Sequence, residues 1–321
     1  MSSFANQSDV TGTVDLNRPE LVTDAILQIL VKRYPDLNTA LLRQAFRDIE
    51  DAFWGRYAGY LACDTPYHDL RHSLATSLLM ARMVDGYEAA RGSDMPALGV
   101  EAGMLAVLLA LYHDIGFIRR SDEADINGAS LVGVHEQRGV EFMRSYLAQG
   151  PLAAYSERAE LIHATNFARP LDQLLVDLPS DMVLVCQMLG TADLVSQVAG
   201  RYYLERCRHF LYDEFVIAGA DRVQTPDGKE VVLYPTAEDL LRKTPGFYES
   251  VVKQRIDNFG APYQCVAAHF GGDNPYQRGI DRNIDYLKSL IDRNDFSGLT
   301  RKPVPLMPHP ENQKVNADKT E

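Results

Sequence analysis

Residues 105–116 constrain this chain most. They form an apolar helical run that closes on Tyr112-His113-Asp114-Ile115-Gly116. A run of this kind belongs in a core, yet this one delivers an adjacent imidazole and carboxylate just before a glycine. Burying that pair is costly unless something cationic accepts their lone pairs, and a metal ion meets the need. The longest apolar stretch, residues 102–112, is too short to span a bilayer and ends abruptly at His113-Asp114. No basic region followed by an apolar block opens the chain. A cytoplasmic protein without a membrane partner is therefore expected.

Lysine and arginine number 32 against 44 aspartate and glutamate, a net charge of -12. That balance opposes affinity for polymeric nucleic acid or anionic membrane. A small phosphorylated substrate stays open, because a bound cation can reverse the local field. Cys63, Cys186, Cys207 and Cys265 show no C-x-x-C spacing, so they read as reduced core thiols. At 321 residues the chain can build one large helical domain.

Taken in order, residues 1–18 are expected to be a disordered tail. Asn17 and Pro19 suit the start of a first helix, and Asn38 opens a second. Asp64-Thr65-Pro66 reads as a third helix start, with Thr65 capping, His68 in the first turn and His72 one turn on. After the central helix, the polar stretch from Phe117 to Ser130, with Arg119 and Arg120, is where substrate contacts or a lid would lie. Helical periodicity returns from Leu131, with His135 near its start, and residues 153–167 read as a helix carrying His163. Ser180 suits the cap of a long helix that holds Asp193, with Gln197 one turn away.

Further on, residues 201–217 are helical, and a β-hairpin is expected near residues 221–234 around Pro226-Asp227-Gly228. Thr236 and Asp239 have capping-box form, and Thr244-Pro245 suggests another helix start. A last helix runs through Ile280, Ile284, Leu287 and Ile291. The whole predicts an all-α bundle with one small hairpin: a single helical domain over residues 19–295 with its core at 65–200, and a second disordered tail at 296–321.

His72, His113, Asp114, His135, His163 and Asp193 are the candidate ligands, on separate helices except for the adjacent pair. Any one of these histidines alone would read as a core or surface residue. Together, four imidazoles and two carboxylates can hold two divalent ions, one carboxylate bridging them. A water bound between two such ions is acidified towards hydroxide and attacks phosphorus. The cations also offset the charge of a phosphoryl transition state.

The order His72, His113-Asp114, Asp193 resembles the H…HD…D signature of the HD-domain metal phosphohydrolases, and His113-Asp114-Ile115-Gly116 reproduces its HDIG form. His135 and His163 fall where two-metal members, including the HD-GYP phosphodiesterases, carry additional histidines. The resemblance covers residues 65–198. It implies a binuclear centre of Fe, Mn, Ni, Mg or Zn held by those six residues, with Asp114 on both ions. Separately, Tyr67-His68-Asp69-Leu70-Arg71-His72 is similar to the Y-H-N-x-x-H segment of class I cyclic-nucleotide phosphodiesterases. That similarity implies His68 as general acid, or as a ligand to a third ion as in some HD-GYP proteins.

Two departures matter. Phe117 stands where class I phosphodiesterases have a histidine and many HDIG proteins a lysine, and no Gly-Tyr-Pro follows His163. Cyclic-di-GMP is therefore disfavoured, and Arg119 or Arg120 is expected to supply the missing positive charge, with Gln197, Arg201 and Tyr202 as further substrate contacts. The expected activity is hydrolysis of a small nucleotide-like phosphoester, by a phosphodiesterase or phosphatase acting as a monomer or homodimer. The alternatives are a di-iron oxygenase such as myo-inositol oxygenase, or a catalytically silent sensor on the same scaffold.

Overall fold

Helices begin where the sequence offers caps. In the computed structural model, which describes residues 7–225 and 227–308, the order is α1 (Pro19–Arg33), α2 (Thr39–Phe53), α3 (Leu70–Ala90), α4 (Gly99–Tyr112), α5 (His135–Ala148), α6 (Leu171–Leu174) and α7 (Ser180–Val198). Then follow α8 (Tyr203–Arg206), α9 (Tyr212–Ala218), α10 (Ala237–Phe247), α11 (Lys253–Asn258), α12 (Val266–His269) and α13 (Pro275–Asp292). Among the described residues the one sheet is the antiparallel pair β1 (Arg222–Gln224) and β2 (Glu230–Val232), with Val223 opposite Val231. The fold is all-α with a small hairpin, as the periodicity predicts. Pro226, at the hairpin's centre, lies outside the described residues.

The apolar run becomes the axis of the molecule. Every residue of α4 from Ala102 to Tyr112 is buried, and α2, α3 and α7 pack around it. Leu105, Leu108, Leu109 and Leu111 are each 0% exposed, and burial of such a side chain contributes roughly 2 kcal/mol. By length and composition Gly99–Phe117 would suffice to cross a membrane, but 89% of it is buried inside the protein. Neighbouring helices cover it. Asn38 caps α2 by accepting from Leu41 N, and Thr236 with Asp239 closes the expected capping box on α10.

Several local expectations need correction. Asp69, not Thr65, caps α3, so His68 precedes the helix instead of sitting in its first turn. Asn17 caps nothing; its side chain takes a hydrogen bond from Arg71, and Arg18 occupies the cap of α1. Ser180 is the first helical residue behind a Pro179 cap. Residues Ala153–Thr165 wind as a 3₁₀ helix, its last carbonyls held by Arg255, which donates to Ala164 O and Asn166 O. Pro245 lies inside α10, and a π-helical turn at Tyr248–Val252 carries the chain on into α11.

The expected tails are also folded where they are described. Asp9 accepts a 2.7 Å bond from the buried Arg82, Leu16 is buried, and Ser8 bridges Asp15. At the other end Phe296 and Leu299 are buried, and Leu306 N donates to Asp69 Oδ2 at 2.6 Å. Both segments close over the start of α3. Residues 1–6 and 309–321 lie outside the described residues.

Candidate metal centre

Four segments deliver the site. Asp69 accepts from His72 N at 3.2 Å and so fixes the first turn of α3. Its carboxylate is fully buried, which alone would raise its pKa. Arg206 and Arg71, each 3.2 Å away, hold it below the ordinary carboxylate range instead. His113 ends α4 with its Nδ1–H donating to Ala110 O at 2.9 Å. A carbonyl can only accept, so in the neutral ring it is His113 Nε2 that carries the lone pair. His135 repeats the device against Val132 O at 2.7 Å.

Asp114 leaves the helix, and Ile115–Phe117 make one 3₁₀ turn. A Cβ on Gly116 would stand 1.9 Å from His135 O. The glycine of the HDIG run is thus what allows the start of α5 to approach.

These side chains converge. His72 Nε2 is 3.1 Å from His113 Nε2 and 3.1 Å from Asp193 Oδ1, with Asp114 Oδ2 at 3.3 Å. His113 Nε2 lies 3.2 Å from Asp114 Oδ2 and 3.5 Å from Asp193 Oδ1. Ligands bonded at about 2.1 Å to one ion stand roughly 3.0 Å apart at right angles and roughly 3.4 Å apart in a tetrahedron. The edges of the His72, His113 and Asp114 triangle fall in that range, and Asp193 Oδ1 stands at similar distances from the two imidazoles. Asp114 Oδ2 is buried with no hydrogen bond that meets geometric criteria, so a cation could take its lone pairs.

Electrostatics agree. Burial by itself would depress the His113 pKa, but the Asp114 and Asp193 carboxylates lift it well above the ordinary value. Burial would raise Asp114 and Asp193; the imidazoles, His113 first, pull both below the ordinary carboxylate range.

The remaining two ligand candidates stand further out. His135 Nε2 is 3.8 Å from Asp114 Oδ1. His163 is 2% exposed with neither ring nitrogen hydrogen-bonded, yet among the described residues its one carboxylate neighbour within 4 Å is Glu160, at 3.5 Å. Burial first, then Arg169, lowers the His163 pKa. The structure therefore brings His72, His113 and Asp114 into one tight group with Asp193 against its two imidazoles, sets His135 at the edge and leaves His163 outside.

Beside the cluster opens a chamber of ≈ 600 Å³ lined by His68, Asp114, His135, Asp193 and aromatic rings that include Phe117, Phe167 and Phe247. His68 Nδ1 meets Glu214 Oε2 at 2.6 Å, and Glu214 Oε1 accepts from Tyr67 N at 2.6 Å. Burial would lower the His68 pKa, but the Glu214 carboxylate, with Asp114 and Asp193 behind it, raises it. Phe117 is sandwiched between two imidazoles, its centroid 4.5 Å from His68 and 4.1 Å from His135, nearly parallel to both. The departure from lysine or histidine at this position thus has a packing role.

Most of the expected substrate contacts do not reach the chamber. Arg119 is 3.2 Å from Asp64 and donates to Ile126 O. Arg120 pairs with Glu141 on a separate cleft. Arg201 and Tyr202 line a different, inner cavity. Gln197 borders the chamber, but its amide donates to Asp193 Oδ1 at 2.7 Å and accepts from Tyr67 OH at 2.7 Å, so it orients the ligand. Sequence reasoning missed Glu214, for which an isolated acid in an aromatic helix gave no signal, and the Asp69–Arg206 pair behind His72.

No protein-family model matches this chain, and no curated protein matches it.

Proposed function

We propose that the protein is a metal-dependent phosphohydrolase of the HD type, a phosphodiesterase or phosphatase for a small nucleotide-like phosphoester. One observation carries this reading: His72, His113 and Asp114 present two nitrogens and a carboxylate at the mutual spacing of ligands about one ion, with Asp193 Oδ1 within 3.5 Å of both imidazoles. Asp114 and His135 would hold a second ion. Bound divalent ions would supply Lewis acidity towards a phosphoryl oxygen and lower the pKa of a coordinated water.

The chain's own groups do the rest. Glu214 fixes the His68 tautomer and favours its protonated form, so His68 can give its Nε2 proton to the departing ester oxygen at the chamber wall. Gln197 and Asp69 hold Asp193 and His72 in place. The aromatic walls exclude water and accept a flat ring. This proton donor favours ester hydrolysis over dioxygen activation. With a net charge of -12 and its longest apolar helix buried, a cytoplasmic enzyme without nucleic-acid or membrane partner fits the reading.

Metal analysis with assays of bis(p-nitrophenyl) phosphate and p-nitrophenyl phosphate in Mn²⁺, Mg²⁺, Fe²⁺ or Ni²⁺ tests it. His113→Ala should lose bound metal and all hydrolysis while its far-UV circular dichroism stays unchanged. Full activity in that variant removes the mechanism, and iron with substrate-dependent oxygen uptake would place the protein among oxygenases instead.

A further inference from the structure

A second cleft, of ≈ 470 Å³, lies between the N-terminal segment and the α13 side of the molecule, with Arg201, Arg282 and Arg301 on its walls. Three guanidiniums around one cleft stand out in a protein carrying twelve surplus negative charges. Arg301 is partly neutralised by Glu205 at 3.3 Å. Arg201 and Arg282 have no carboxylate within 4 Å among the described residues, and all three side chains are exposed. The one acid on the cleft wall, Asp9, is already engaged: Arg82 takes its Oδ2 at 2.7 Å, and Thr13 N and Val14 N donate to its Oδ1.

Arg201 also walls an inner cavity of ≈ 70 Å³, whose far side includes His72, Arg71 and Arg206. Arg71 is 6% exposed and its Nε is buried without an acceptor, although its two terminal nitrogens are satisfied by Asp69 and Asn17. A buried guanidinium N–H left unpaired is costly, and an anionic oxygen would satisfy it. Surface charge and buried orphan donor therefore point the same way, on two cavities that share Arg201.

We propose that this cleft is a binding site for a compact phosphorylated anion, distinct from the metal chamber, with Arg201 and Arg282 as its principal charges and the inner cavity admitting one anionic oxygen towards Arg71. A guanidinium recognises phosphoryl oxygens in bidentate fashion. Neither Arg201 nor Arg282 lines the chamber that holds His68 and Asp114. The proposal holds whether or not the metal centre is a hydrolase.

Inorganic pyrophosphate is the probe, titrated calorimetrically into the full chain with EDTA present so that no metal-held phosphate contributes. Saturable one-to-one binding that weakens with added NaCl is expected, because Debye screening acts on exposed charges. Arg282→Glu and Arg201→Glu should each weaken binding at least tenfold with unchanged far-UV circular dichroism, since neither side chain makes a structural ion pair to lose. His113→Ala should bind as the parent does. Absence of binding to the parent, or undiminished binding to both arginine variants, or its loss in His113→Ala alone, would overturn the assignment.

Discussion

The contact between His68 and Glu214 yields the sharpest prediction, because its two partners come from segments almost 150 positions apart and each does a separable job. Glu214 Oε1 takes the Tyr67 N–H while Oε2 takes His68 Nδ1, and the Glu214 side chain is only 4% exposed against 19% for His68. Glu214→Gln keeps an oxygen for Tyr67 N but removes the charge. A charge-assisted hydrogen bond of this burial contributes about 2 kcal/mol. His68 has its folded pKa raised by Glu214, so this contribution is fully present below the unfolded histidine value of about 6.5. It is lost as pH rises through the raised folded value.

Urea unfolding in EDTA should therefore show the variant about 2 kcal/mol less stable than the parent at about pH 5.5, with the gap closing to under about 1 kcal/mol once pH exceeds the folded pKa. In metal-loaded protein the same variant should lose the alkaline extension of its kcat profile, because its proton donor deprotonates earlier. A stability gap that is constant with pH, or that widens on the alkaline side, refutes the assignment of His68 as a cation held by Glu214.

Three further outcomes follow from the same geometry. Gly116→Ala puts a methyl 1.9 Å from His135 O, so thermal denaturation should show a loss of ~3 kcal/mol. Asp69→Ala leaves the Arg71 and Arg206 guanidiniums facing an empty position and uncaps α3; equilibrium unfolding should report a cost of about 3–5 kcal/mol. Stripping divalent ions should lower the Tm of the parent but not that of His113→Ala, since a ligand that binds only the folded state stabilises in proportion to its occupancy; equal shifts in both would locate the bound ion elsewhere.

Periodicity and caps sufficed for the helices whose signals are local. Pro19 and Asn38 stand at helix starts as their ring and side chain dictate, and α4 is buried from Ala102 onward because that stretch has no polar face to expose. Local signals misled where a distant partner outbid them. Thr65 looks like a cap, but Asp69 is drawn to the His72 N–H and also satisfies two arginines and Leu306 N. Both terminal segments look polar enough for disorder, yet the Asp9–Arg82 and Leu306–Asp69 contacts tie them down.

What the sequence determined by itself is the chemistry available: imidazoles and carboxylates set in apolar helices, a glycine after the His113-Asp114 pair, and an acidic surface. Side-chain type and helical period are properties of short windows, so they can be read there. Tertiary structure decided which of those groups meet. It set His72, His113 and Asp114 within 3.3 Å of one another with Asp193 within 3.5 Å of both imidazoles, held His163 back, turned Arg119 and Arg120 to other partners and brought Glu214 under His68. Those distances depend on how helices cross, which is set by packing between residues far apart in the chain, and no local pattern encodes that.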